Sequence, residues 1–333
     1  MSLKSKIASA QKNHANFLIK AVSALLLTVG VVTGTVFYPK TPTVHAEEAE
    51  KPAMRIQISP VENRVTLNAN ETNEYTFNVD NTGSEGYSFK VYANPYSVLN
   101  EQYSPSFSNQ NAHTQVSRWI TFKNDAGEYS QEATYSVEAG QRKEVTYKIT
   151  VPSDIPGGGQ YAIVFVEAIP KDDNSGGIRT VSRLGLRVFG RTNGETKESA
   201  EILNHNMDSF YMSGKIKTNG TVKNSGNADF NAIFKFKVEK IFGGVVYEDS
   251  KGYDVLPDTT RNIELTWDET PAFGIYRITS TLNALDQSRS TTKIVLIIPV
   301  FMIVILLMLL TITIAWFIIL FRKRQAQKSK LII

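Results

Sequence analysis

The sequence predicts an all-β ectodomain of two tandem immunoglobulin-like β-sandwiches, set between an N-terminal export signal and a single C-terminal transmembrane helix. Three observations predict it. Apolar and polar residues alternate with period two over much of the middle of the chain, and Asn, Gly and Pro clusters separate the alternating runs. Both ends, in contrast, are apolar and basic and carry no acidic residue.

At the N-terminus, residues 1–46 read as a signal peptide. Lys4, Lys6, Lys12 and Lys20 precede an apolar run from Ala21 to Phe37, and Val44-His45-Ala46 places small residues where a signal peptidase reads them. At the other end, Ile294 to Phe321 is free of charge and 28 residues long. About 20 residues suffice to cross a hydrocarbon core, so residues 294–321 read as a tilted transmembrane helix. The tail at 322–333 carries Arg322, Lys323, Arg324, Lys328 and Lys330. Basic residues stay inside, so the expected topology is a single pass through the cell membrane, with the tail cytoplasmic and the ectodomain extracellular.

The formal charge of +4 comes from these ends, which hold 10 of the 36 basic residues and none of the 32 acidic ones. The region between them therefore has 26 basic against 32 acidic residues, or −6, which argues against nucleic acid as a partner. The chain has no cysteine. That excludes disulfides, thiolate metal sites and a cysteine nucleophile, and it fits a Gram-positive bacterial surface.

The first sandwich is expected over 54–192. Tyr75, Phe77 and Val79 alternate with polar neighbours, as do Val145, Tyr147, Ile149 and Val151; Tyr161, Ile163 and Phe165; and Leu184, Leu186 and Val188. Each set should line one face of an antiparallel strand. Turn signals fall between them at Asn81-Thr82-Gly83, at Pro156 to Gly159 and at Asn174 to Gly177. The polar stretch TNGETKES (Thr192 to Ser199) marks a linker, and the second sandwich is expected over 199–290.

An internal repeat supports two units of one design. FNVDNTGSEGYSFKV, from Phe77, parallels GTVKNSGNADFNAIFKFKV, from Gly220. Val137 to Ala168 likewise parallels Val255 to Ala284. This second match decides the reading of LPDTTR (Leu256 to Arg261), which resembles a sortase address but lacks its glycine. It aligns with Glu138 to Lys143 and is read as a turn entering a strand.

No catalytic constellation is evident, so no enzyme and no cofactor are expected. His113 and His205 lie in unrelated contexts, and no zinc-binding spacing, P-loop or dinucleotide fingerprint is present. Lys171 to Gly177 lacks the alternating ligands of a calcium loop and reads as a hairpin tip. The three glycines at 157–159 have no following helix to bind an anion and are read as turn flexibility. Trp119 and Trp267 sit in strand register and are expected in cores. The candidate binding element is the polar loop at 94–117, which has no counterpart in the second sandwich. Its Tyr96, Tyr103 and Phe107, set among amides, suit a carbohydrate or protein surface.

Ile56 to Pro60 opening the first strand, the Asn81-Thr82-Gly83 turn, Trp119-Ile120, and Val151 to Asp154 leading to Gly159-Gln160-Tyr161 together resemble the WxL-interacting proteins of Gram-positive surfaces. The resemblance covers about 55–188, with the second sandwich similar by architecture. It implies a cell-surface binding protein whose partners are peptidoglycan or surface proteins of the WxL type. Two other readings stand beside it. One is an assembly protein that pairs a β-strand with another exported chain; the other is an accessory subunit of a membrane complex, acting through its helix.

Overall fold

The computed structural model describes residues 54–169, 181–212, 215–268 and 273–330, with the backbone alone at 325–330. The signal peptide read at 1–46 and the hairpin tip read at 171–177 lie outside the described residues. Alternating sequence becomes strand almost throughout. The first twelve strands are β1 (Ile56–Ser59), β2 (Glu62–Leu67), β3 (Thr72–Asn81), β4 (Tyr87–Pro95), β5 (Ser97–Val98), β6 (Pro105–Ser106), β7 (Ile120–Lys123), β8 (Tyr129–Ser130), β9 (Glu132–Val137), β10 (Arg142–Thr150), β11 (Gly159–Ile169) and β12 (Arg183–Thr192). Eight more follow: β13 (Ala200–Met207), β14 (Phe210–Tyr211), β15 (Ile216–Asn224), β16 (Phe230–Lys240), β17 (Val245–Val255), β18 (Thr259–Trp267), β19 (Gly274–Ala284) and β20 (Gln287–Ile297). Helix α1 (Val300–Lys330) closes the described chain.

In the first sandwich, a sheet of order β1-β3-β10-β7-β8 faces one of order β2-β12-β11-β4-β9. Phe77, Phe122 and Tyr147 from one sheet pack against Phe89, Val164 and Leu186 from the other. Truncating any of these aromatics would cost about 3–5 kcal/mol in lost burial and cavity. The chain changes sheet at the cis Ser59–Pro60 peptide, after which β2 runs parallel to β12. In the second sandwich, β13-β15-β18 faces β14-β20-β19-β16-β17. Trp267 is buried there and stacks on Tyr247 at 5.6 Å, while Trp119 packs half-buried against the first core.

The repeat has a physical basis. Asn81 and Asn224 are both buried at the end of a strand, and each accepts a bond from the glycine two residues on. Asn81 Nδ2 donates to the Glu85 and Glu138 carbonyls, and Asn224 Nδ2 donates to those of Ala228 and Val255. One side chain thus closes a turn and ties it to the facing strand end, which is why both repeats keep Asn-x-Gly. The paired turns match as well. Gly140 (φ +71) and Asp258 (φ +54) sit at the same place in the two units, so LPDTTR is a turn with an aspartate in the left-handed region.

Two expectations are corrected. On β11 the core-facing residues are Ala162, Val164 and Val166, whereas Tyr161, Ile163 and Phe165 face outward and are buried there. The run is apolar on both faces, so period two alone could not tell which face was inner. The helix begins at Val300, while Ile294 to Ile297 belong to β20 and Val295 and Ile297 fill the second core. The second sandwich therefore extends past residue 290. Hydropathy alone does not separate a buried strand end from the helix that follows it.

Asn224→Ala should lower the unfolding free energy by about 2–4 kcal/mol, because it strips buried carbonyls of their donor. Asn81→Ala should cost a similar amount, and urea denaturation of the detergent-solubilised chain checks both.

Candidate functional site

The three residues that open β11 organise the region between the sandwiches. Gly159 leaves room for the Tyr161 ring, since a Cβ there would lie 1.8 Å from the Tyr161 hydroxyl. Gln160 is fully buried; its Nε2 donates to the Ala112 carbonyl at 2.6 Å and its Oε1 accepts from the Val116 amide at 3.3 Å. It thereby pins the 94–117 loop. Tyr161 reaches the other way, donating its hydroxyl to Asp229 Oδ1 at 2.9 Å and accepting from the Asp229 amide at 2.8 Å.

Asp229, nearly buried, is the hub of the seam. Arg64 donates Nη1 to its Oδ2 at 2.8 Å, Nη2 to Asp254 at 2.7 Å and Nε to Glu62 at 2.8 Å, with the guanidinium over the Phe189 ring. Arg191 Nη2 donates to the Asp229 carbonyl at 2.8 Å. Burial pulls the Arg64 pKa down, but the bond to Asp229 and the charges of Asp254 and Glu62 outweigh it and hold it above its ordinary value. Burial, followed by the Asp229 charge, pushes the Tyr161 hydroxyl well above the usual phenol.

The glycines at 157–159 serve close approach more than turn flexibility. Gly158 (φ +109) donates its place to the second sandwich: a Cβ there would meet the Asn227 carbonyl at 2.1 Å, and the Gly159 amide donates to that same carbonyl at 2.8 Å.

The candidate loop at 94–117 folds back over this seam. Tyr96 packs against Phe189 and Phe107, and Phe107 meets Phe165 edge-on at 5.0 Å, covering the outward face of β11. Tyr103 crosses to the second sandwich. Its hydroxyl accepts from the Leu256 amide at 2.7 Å and pairs with Thr259 Oγ1 at 2.6 Å, while Arg261 lies over its ring at 4.2 Å. Glu101 adds two bonds to Asn262. Tyr96, Tyr103 and Phe107 are therefore partly buried by contacts within the molecule.

Between this loop and the LPDTT turn lies a cleft of about 330 Å³. Tyr96, Ser97, Asn109, Asn111, His113 and Asp258 are among its lining residues. Ser97 Oγ is buried without a hydrogen-bond partner. His113 Nδ1 bonds the Gly159 carbonyl at 2.9 Å, and its Nε2 is 3.8 Å from Asp258. His205 lies in the second sandwich, bonded to Ser280, and burial, then Arg289, lowers its pKa. Among the described residues, no group of three or more His, Asp or Glu is placed to hold a metal ion.

Sequence reasoning missed Arg64, Ser97, Asp229 and Asp254. The one available signal was the break in the repeat at Asp229, where the first unit has Gly86.

A second feature is the edge of β9, which has no strand paired on its outer side among the described residues. It is six residues long, has neither Pro nor Lys, and turns Ala133, Tyr135 and Val137 inward and Glu132, Thr134 and Ser136 outward. Some other edges are guarded: β1 and β8 are short, and β17 carries Lys251 and is bridged to β18 by Tyr253 to the Glu264 carbonyl and Arg261 to the Asp254 carbonyl, whereas the edge strands β2, β13 and β18 lack Pro and Lys as β9 does.

No protein-family model and no curated protein matches this chain. Among solved structures, the chain is similar to a chaperone–tip adhesin complex of CFA/I fimbriae biogenesis, with 14% identity, TM-score 0.36, 74% of this chain and 99% of that one. It is also similar to the class 5 fimbriae chaperone CfaA, with 13% identity, TM-score 0.36, and 72% and 99% covered. A third is the CsuC–CsuE chaperone–tip adhesion subunit pre-assembly complex of Acinetobacter baumannii, with 12% identity, TM-score 0.35, and 72% and 98% covered. No residue role transfers at these values.

Gly158→Ala should unseat the seam while leaving both cores folded, which limited proteolysis will show as new cleavage within the linker at 193–198. The raised Tyr161 pKa contributes stability in full below about pH 10, the unfolded phenol value, and loses it as pH climbs beyond. Thermal melts of the wild type should therefore fall more steeply above pH 10 than those of Tyr161→Phe.

Proposed function

We propose that the chain is a membrane-anchored cell-surface binding protein, with its two immunoglobulin-like sandwiches outside the membrane, and that it captures another exported protein by taking one of its strands onto β9. The observation that carries this reading is the unguarded β9 edge. An edge of six residues offers a row of unpaired main-chain groups, and strand addition satisfies them while pockets between outward side chains select the partner. The partner class agrees with the resemblance to WxL-interacting proteins, which implies a surface protein as partner.

Helix α1 supports the tether. Residues Val300–Arg324 are long and apolar enough to cross a membrane, and Arg322, Lys323 and Arg324 follow on the side expected to face the cytoplasm. Within its apolar stretch at 300–321, Thr311 and Thr313 turn their hydroxyls onto their own helix at Met308 and Leu310. That leaves no side-chain glue for a neighbouring helix and favours a plain anchor over an accessory subunit.

A second reading has its own observation. Ser97, whose hydroxyl is buried without a partner, borders a cleft lined in part by Asn109 and Asn111, and such amides suit the hydroxyl and amide groups of peptidoglycan.

Two assays on the detergent-solubilised chain separate the readings. Thr134→Lys with Ser136→Lys should abolish co-purification of an exported protein and leave peptidoglycan sedimentation unchanged. Retention of the partner by this double variant sinks strand addition. Sedimentation lost in Ser97→Val alone would favour the cleft.

A further inference from the structure

We propose that the end of the second sandwich nearest α1 is itself a membrane-binding surface, which seats an apolar band in the headgroup–acyl boundary of a lipid bilayer. The inference rests on the reading of α1 as a membrane anchor, and it concerns how the ectodomain meets the lipid.

Sheet register places the band. Phe210 on β14 pairs with Leu296 on β20, and Leu296 pairs with Ile275 on β19. Val295 and Ile297 turn into the core, so Phe210, Leu296 and Ile275 share the outer face in one row. The row continues into the β16–β17 hairpin, where Phe242 is fully exposed. Phe273 and Met212, each more than half exposed, stand in the other loops at this same end. Ile275, Ile294 and Phe242 line an apolar groove of about 610 Å³.

The band stops abruptly. Moving away from α1, the next row pairs Ile294 with Arg277 and Arg277 with Glu239, and the following one has Thr292 opposite Thr279 and Lys237. Apolar surface is thus one to two rows deep, or about 7–14 Å at the spacing of side chains along one strand face, comparable to the roughly 5–10 Å to which interfacial elements bury. Lys240 stands at its border, where a long aliphatic stem can lie on the lipid with the ammonium in the headgroups.

Chain continuity identifies the occupant. Only Ile298 and Pro299 separate β20 from α1, a reach of about 10 Å, and the Ile298 amide is bonded to the Tyr211 carbonyl. Whatever the tilt of the helix, its first turn cannot leave this end of the sandwich. A bilayer entered at Val300 therefore begins at the level of Phe210, Phe242 and Phe273. Exposed apolar side chains on a soluble face would attract other proteins, but held at this height they meet lipid first.

The absence of cysteine makes a clean test possible, because a single introduced thiol carries the only label. Phe242→Cys, Asp286→Cys and Thr311→Cys are each labelled in the full chain with an environment-sensitive fluorophore. They are then reconstituted into phosphatidylcholine–phosphatidylglycerol vesicles with and without lipids bearing a nitroxide near the top of the acyl chain. Asp286 is exposed on the hairpin at the opposite end of the sandwich and serves as the aqueous reference; Thr311 reports the anchor. The expected result is strong lipid quenching at 242 and 311 and none at 286. Quenching at 311 with 242 behaving like 286 overturns the proposal and leaves the anchor standing. No quenching at 311 overturns the anchor and the proposal together. A blue-shifted label at 242 that lipid nitroxides do not quench means that protein covers the band, and this also overturns the proposal.

Discussion

One carboxylate holds the two sandwiches together. Asp229 belongs to the second sandwich by sequence, yet its two oxygens and its amide are taken by Tyr161 and Arg64 of the first. An aspartate this buried is tolerable only when it is paired and bonded, so its presence requires the two sandwiches to meet in one register. The surrounding features answer to that requirement. Gly158 removes the Cβ that would meet Asn227 of the second sandwich, Gly157 and Gly159 clear the linker at Glu195 and the Tyr161 ring, and Phe189 supplies a ring beneath the Arg64 guanidinium.

The same seam explains the loop. A polar stretch rich in Asn, Gln and Ser has little apolar surface with which to order itself. Here it is pinned by a buried glutamine at its base, by Phe107 over Phe165, and by Tyr103 reaching into the LPDTT turn. The loop is thus a clamp between sandwiches, and the cleft with its orphan Ser97 hydroxyl exists because the clamp and the turn do not close completely.

Geometry then separates the two ends of the second sandwich. Strand β16 runs from Phe230, next to Asp229, to Lys240, next to the exposed hairpin; its 11 residues span about 35 Å at the usual rise. The hub lies at one end and the start of α1 at the other. The β9 edge and the cleft are consequently separated from the start of α1 by the length of the second sandwich.

Period-two alternation, the Asn-x-Gly repeat and the charge-free C-terminal stretch were enough to read strands, two related units and one membrane-length helix, because each depends on neighbours close in sequence. The reading of LPDTTR as a turn was available for the same reason: Asp258 falls where the first unit has Gly140. The inner face of β11, the start of the helix at Val300 and the packing partners of Tyr96, Tyr103 and Phe107 were not legible. Tyr161, Ile163 and Phe165 alternate as a core should, but Ala162, Val164 and Val166 take the face towards the other sheet, and the loop and its neighbours bury the outer one. Arg64 and Asp229 are 165 residues apart, and nothing local in either segment announces the other. Local periodicity determined the elements, whereas their mutual burial, a property of long-range packing, decided which faces, charges and edges remained for function.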